Sequence, residues 1–106
     1  MEREDALNAL AALGQETRLD VFRFLVKAGK EGMPAGAISD ALDVRPNTLS
    51  TPLGVLSRSD LVHAERDGRS ICYRADLQTM QVLVTYLLQD CCGGNPELCA
   101  PIASMA

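Results

Sequence analysis

The chain has 106 residues, of which 47% are apolar and 23% charged, and its formal net charge is −4. That length supports one globular domain with one modest core, and with two Phe, two Tyr and no Trp the core must be aliphatic. No run reaches the ~18 apolar residues of a membrane helix and no secretory leader is visible, so a cytoplasmic location is expected; net acidity argues against indiscriminate nucleic-acid binding by the whole surface.

Residues 2–13 read as a helix with Ala6, Leu7, Leu10, Ala11 and Leu13 apolar, and Gly14 ends it. Residues 15–29 make a second helix whose buried stripe is expected at Leu19, Phe22, Leu25 and Val26, with Gly29 as the stop. Pro34 opens a short third helix ending near Leu42, with Ala37, Ile38 and Leu42 inward, and a tight turn follows at Asp43-Val44. Pro46 suits the first turn of a fourth helix that runs to about Ser59.

The fourth helix is two-sided. Leu49, Leu53 and Leu56 fall on one face; Asn47, Ser50, Thr51 and Gly54 fall on the other, at helical spacing. Pro52 interrupts it, removing the hydrogen bond back to Thr48, so the helix is either bent there or starts late. Two extended runs follow, Leu61–Arg66 and Arg69–Ala75, around Asp67-Gly68, where glycine supplies the positive φ that a hairpin turn needs. A long apolar helix from Leu77 to about Cys91 closes the series, with Met80, Leu83, Val84, Leu87 and Leu88 along one side. The fold class is therefore mainly α with a small β-hairpin: a winged helix-turn-helix of five helices and a two-stranded wing, with residues 1–92 as the DNA-binding and dimerisation domain and 93–106 as a tail.

Charge supports that reading. Val44–Ala75 holds five basic and three acidic residues, a local +2, and the remainder carries −6. The small polar face of the fourth helix can approach base edges and phosphates closely, where an ordinary solvated face carries Lys and Glu. Expected DNA contacts are Arg45, Asn47, Thr48, Ser50 and Thr51 from the helix and its entry, with Arg66 and Arg69 at the tip of the wing. Leu7 and Leu10 of the first helix, with Met80, Leu83, Val84 and Leu87 of the last, are the expected dimer interface, since such readers dimerise to span two half-sites.

The cysteines point to a sensor. Cys91, Cys92 and Cys99 crowd into nine residues around Gly93-Gly94, which frees the backbone to turn back. Three thiolates suit a thiophilic ion with a lone pair, such as trivalent arsenic, antimony or bismuth, whereas structural zinc wants four ligands. Cys72 stands alone in the second hairpin strand and reads as a small strand side chain; His63, the single histidine, reads as an ordinary partly exposed residue. No cysteine is followed six positions later by an arginine and no histidine is placed as a base, which excludes a cysteine-dependent arsenate reductase.

These residues together resemble the ArsR/SmtB family of metal-responsive bacterial repressors. The similarity lies in Ala11-Ala12-Leu13-Gly14-Gln15-Glu16-Thr17-Arg18-Leu19-Asp20-Val21-Phe22, in Pro46–Leu56 as the recognition helix, and in Ser59-Asp60-Leu61-Val62, Arg66-Asp67-Gly68-Arg69 and Tyr73 as the wing. The resemblance implies a homodimer that binds operator DNA when ligand-free and releases it when an ion binds. The family's cysteine run before the recognition helix is missing from Ala37–Val44, and the histidines of its zinc site on the last helix are missing too. The remaining thiols are similar to those of arsenite-responsive members with a site at the end of the last helix. The expected inducer is therefore trivalent arsenic, with antimonite second, held by Cys91, Cys92 and Cys99. A redox, cadmium or lead sensor on the same scaffold is the alternative.

Overall fold

The computed structural model describes residues 1–89. Helix α1 spans Arg3–Leu13 and buries Ala6, Ala9 and Ala12. Three alanines on one stripe allow close packing against neighbouring helices. Helix α2 spans Glu16–Ala28; the Gln15 side chain caps it by accepting from Arg18 N at 3.0 Å. A single 3-10 turn at Gly29–Glu31 leads into strand β1, Met33–Pro34, and helix α3, Ala35–Leu42. Asp43 ends α3 in the left-handed region, φ 54°. The turn after it is closed twice: Val44 N donates to Ser39 O at 3.0 Å, and the Ser39 hydroxyl donates to Val44 O. That bond satisfies Ser39, the buried polar side chain of the core.

Helix α4 spans Pro46–Arg58 without interruption at Pro52. Strands β2, Val62–Asp67, and β3, Ser70–Ala75, pair antiparallel from Val62↔Ala75 to Asp67↔Ser70. Gly68 turns the hairpin at φ 64°. Helix α5 spans Leu77–Leu87, with Asp76 as its N-cap accepting from Thr79 N at 2.9 Å.

The core is aliphatic apart from Phe22, as composition requires. Leu25, Ile38, Leu49, Leu56, Leu61 and Leu83 are sealed from solvent, and each contributes about 1.5–3 kcal/mol through burial. One further element joins the wing: β1 pairs with β3, Met33↔Tyr73 and Pro34↔Cys72, so the sheet order is β1-β3-β2. Gly32 makes that close approach possible. A Cβ there would lie 2.5 Å from Tyr73 O and 2.9 Å from Cys72 Sγ, and its φ is 67°.

Two expectations need correction. Leu19 and Val26 are exposed, and the buried face of α2 is Val21, Phe22 and Leu25. Six of the eight residues from Leu19 to Val26 are apolar, so periodicity alone did not fix which arc of α2 meets the core. Leu83 is fully inside the monomer core, so it is not free to meet a partner.

Candidate nucleic-acid interface

Helix α4 is positioned from its inner side. Leu49, Leu53 and Leu56 are buried, which turns the opposite arc outward. Its entry is preset. Arg45 is extended, φ −64° and ψ 140°, and Pro46 sits where a missing N–H costs nothing. The Arg45 carbonyl accepts from Thr48 N at 2.9 Å and Leu49 N at 3.1 Å.

Arg45, Asn47, Thr48, Ser50 and Thr51 are all exposed on or beside that outward arc. The Ser50 hydroxyl reaches Asn47 O at 3.4 Å, a long contact that leaves it able to bond elsewhere. Pro52 lies on the flank between the two faces and is half-buried. The carbonyl that loses its donor belongs to Thr48, an exposed residue, so the helix continues through the proline.

The hairpin turn falls at Gly68-Arg69, one residue later than the expected Asp67-Gly68, because Asp67 still pairs with Ser70; Arg69 lies in the turn, Arg66 lies near the end of β2, and both are exposed. Arg74, by contrast, is occupied: it forms a 2.7 Å ion pair with Glu65 across the hairpin. The basic excess of the middle third is therefore carried by Arg45, Arg58, Arg66 and Arg69. Arg58, at the end of α4, escaped the sequence reading of the site. Its helical spacing from Asn47 and Thr51 was the available signal.

The base of the wing is fastened to α5. His63 of β2 contacts the Asp76 carboxylate at 2.5 Å, and Asp76 N donates to Leu61 O at 2.8 Å. Burial acts to raise the Asp76 carboxyl, but hydrogen bonds from Thr79 and His63 outweigh it and hold the group below its ordinary 3.8.

The expected dimer residues divide. Leu7, Leu10 and Leu87 are exposed, Met80 and Val84 are half-buried, and Val82, not foreseen, is exposed as well. Cys91, Cys92 and Cys99 lie outside the described residues. Among the described residues no cluster of three or more His, Cys, Asp or Glu side chains could hold a metal ion. Cys72 is a half-buried free thiol that donates to Glu31 O at 3.0 Å, a packing role beside Gly32. Among the described residues no helix is long and apolar enough to cross a membrane.

Comparison with known proteins agrees with this geometry. A family described as a helix-turn-helix domain matches residues 13–65. No curated protein matches the chain by sequence. Among solved structures, an ArsR-like transcriptional regulator from Rhodococcus sp. RHA1 superposes with a TM-score of 0.75 at 25% identity, covering 97% of this chain and 93% of that one. The homodimeric winged helix-turn-helix DNA-binding domain Mb0332 from Mycobacterium bovis gives 0.67 at 22% identity, covering 80% and 77%. The AntR antimony-specific transcriptional repressor gives 0.64 at 24% identity, covering 81% and 77%. These three are a transcriptional regulator, a DNA-binding domain and a transcriptional repressor. The chain belongs to this helix-turn-helix domain family, and its winged-helix fold is similar to that of an ArsR-like transcriptional regulator.

Proposed function

We propose that the chain is a homodimeric repressor of an arsenic-resistance operon that releases its operator when trivalent arsenic binds Cys91, Cys92 and Cys99. The observation that carries the DNA half of this reading is the outward face of α4, small and polar beside the wing arginines, on a helix locked to the core through its other face. Asn47, Ser50 and Thr51 read base edges; Arg45, Thr48, Arg66 and Arg69 hold phosphates. Leu7, Leu10 and Leu87, with the half-buried Met80 and Val84, meet their counterparts in a second copy.

The ligand half rests on donor chemistry. Three thiols within nine residues match a soft trivalent ion in number and kind. The ion acts by binding the DNA-incompetent state more tightly; each ~1.4 kcal/mol of that difference lowers operator affinity tenfold. Antimonite shares the chemistry, and an antimony-specific repressor shares the fold. The competing reading is a redox, cadmium or lead sensor on the same scaffold; its redox form differs in stoichiometry, since a disulfide uses two thiols and arsenite three.

The test is operator binding by the wild type and by Cys91→Ser, Cys92→Ser and Cys99→Ser, with and without arsenite. Each variant is expected to bind DNA and to lose the arsenite response. Release by all three variants would remove the assigned site, and loss of response in Cys72→Ser alone would move the ligand to the wing.

A further inference from the structure

We propose that Arg58 is an additional operator contact, a phosphate clamp lying along the outer face of α4 across Gly54. This rests on the DNA-binding reading above. At about 100° per residue, Arg58 projects between Asn47 and Thr51, opposite the core face of Leu49, Leu53 and Leu56. Gly54 occupies the same arc one turn earlier. A Cβ on Gly54 would lie 3.3 Å from Arg58 Nη1, and the atoms it would meet within 4 Å all belong to Arg58. The guanidinium has therefore folded back over bare backbone instead of extending past the helix end. Glycine costs a helix about 1 kcal/mol relative to alanine; here it leaves the bed on which the guanidinium rests.

Among the described residues no acidic side chain pairs with this guanidinium. The ion pairs among the described residues are His63–Asp76 and Arg74–Glu65. Asp5 and Asp60 border the same open cleft of about 340 Å³ as Arg58, but neither pairs with it. Arg58 itself is exposed.

Position decides what this cation meets. From Asn47 to Gly54 the helix rises ~10 Å, and a major groove is ~12 Å wide. A helix with Asn47 at the base edges thus carries the guanidinium over Gly54 to the rim of the groove, among phosphates. A planar fork of donors suits a phosphate there. Such a contact adds affinity without reading sequence.

The test compares the wild type with Arg58→Ala on two probes: a duplex selected by the wild type from a randomised pool, and an unrelated duplex of equal length. Arg58→Ala is expected to weaken both roughly five- to tenfold near 0.1 M salt and to lower the salt slope by about 2, one for each copy in the dimer. Thermal melting should be unchanged, because Arg58 is exposed. Arg58→Lys should recover part of the affinity. Equal binding by the wild type and Arg58→Ala overturns the proposal, as does weakening confined to the selected duplex, which would make Arg58 a base reader. Failure of the wild type to enrich any duplex from the pool overturns the DNA-binding reading itself.

Discussion

Helix α4 and the pair α1 and α5 all bury one face in the same core, yet their outward faces differ in kind. The outer arc of α4 carries Asn47, Ser50, Thr51 and Gly54. On α1 and α5 the outer arcs carry Leu7 and Leu10, and Val82 and Leu87, which remain between 39% and 55% exposed. Polar atoms that can exchange water for a polar partner lose little by waiting in solvent. Exposed leucines and valines have no such compensation. Under the proposed function, the polar arc of α4 takes DNA and the apolar arcs of α1 and α5 meet a second copy.

The strongest way to break that contrast is on the apolar side. Leu10→Glu combined with Leu87→Glu should leave the monomer fold intact while weakening self-association at least roughly 100-fold, about 2.7 kcal/mol. Sedimentation would then report the 11.4 kDa monomer; persistence of the dimer would show that α1 and α5 are not its interface. On the polar side, Asn47→Ala should cost about 1–3 kcal/mol in affinity for the selected duplex with stability changed by less than about 0.5 kcal/mol. An equal loss on every duplex would make Asn47 a phosphate contact.

The smallest effect lies where the two sides join. Asp76→Ala removes the N-cap of α5 and should cost about 1 kcal/mol in chemical denaturation near neutral pH. The pH dependence has a fixed sign. The folded state holds the Asp76 carboxyl below its ordinary 3.8, so its contribution is complete above that value and is lost as pH falls through the lower folded value. The variant's stability curve should be flatter in that acid window, and parallel curves for the two proteins would show that Asp76 does not supply the linkage.

Much of this architecture was legible before any coordinates. Leu49, Leu53 and Leu56 recur at a clean helical period, and Asp67-Gly68 sits between two alternating runs, so α4 and the hairpin could be placed closely. Pro52 was a real ambiguity, because a missing donor can bend a helix or merely leave an exposed carbonyl to water. On α2 the apolar residues outnumber the positions the core can cover, and only tertiary packing selects among them. Strand β1 is two residues long, too short for any pattern, and exists because Gly32 lets β3 come close. The clamp of Arg18 onto the end of α1, with Nε 2.6 Å from Ala12 O and Nη2 3.3 Å from Ala11 O, depends on the angle between two helices. A pattern of residues along the chain does not encode that angle. Leu7 and Leu10 are exposed, whereas Leu83 was expected at the interface from a stripe whose central member turned inward.

Asp76 has a mechanical consequence. Its carboxylate holds His63 and Thr79 N, and its own N–H holds Leu61 O, so one residue bolts the root of the wing to the first turn of α5. The hairpin consequently has no loose joint at its base. Any torque that swings the start of α5 turns the wing root with it, as a crank turns its shaft, and the arginines at the far tip of the hairpin travel the longest arc.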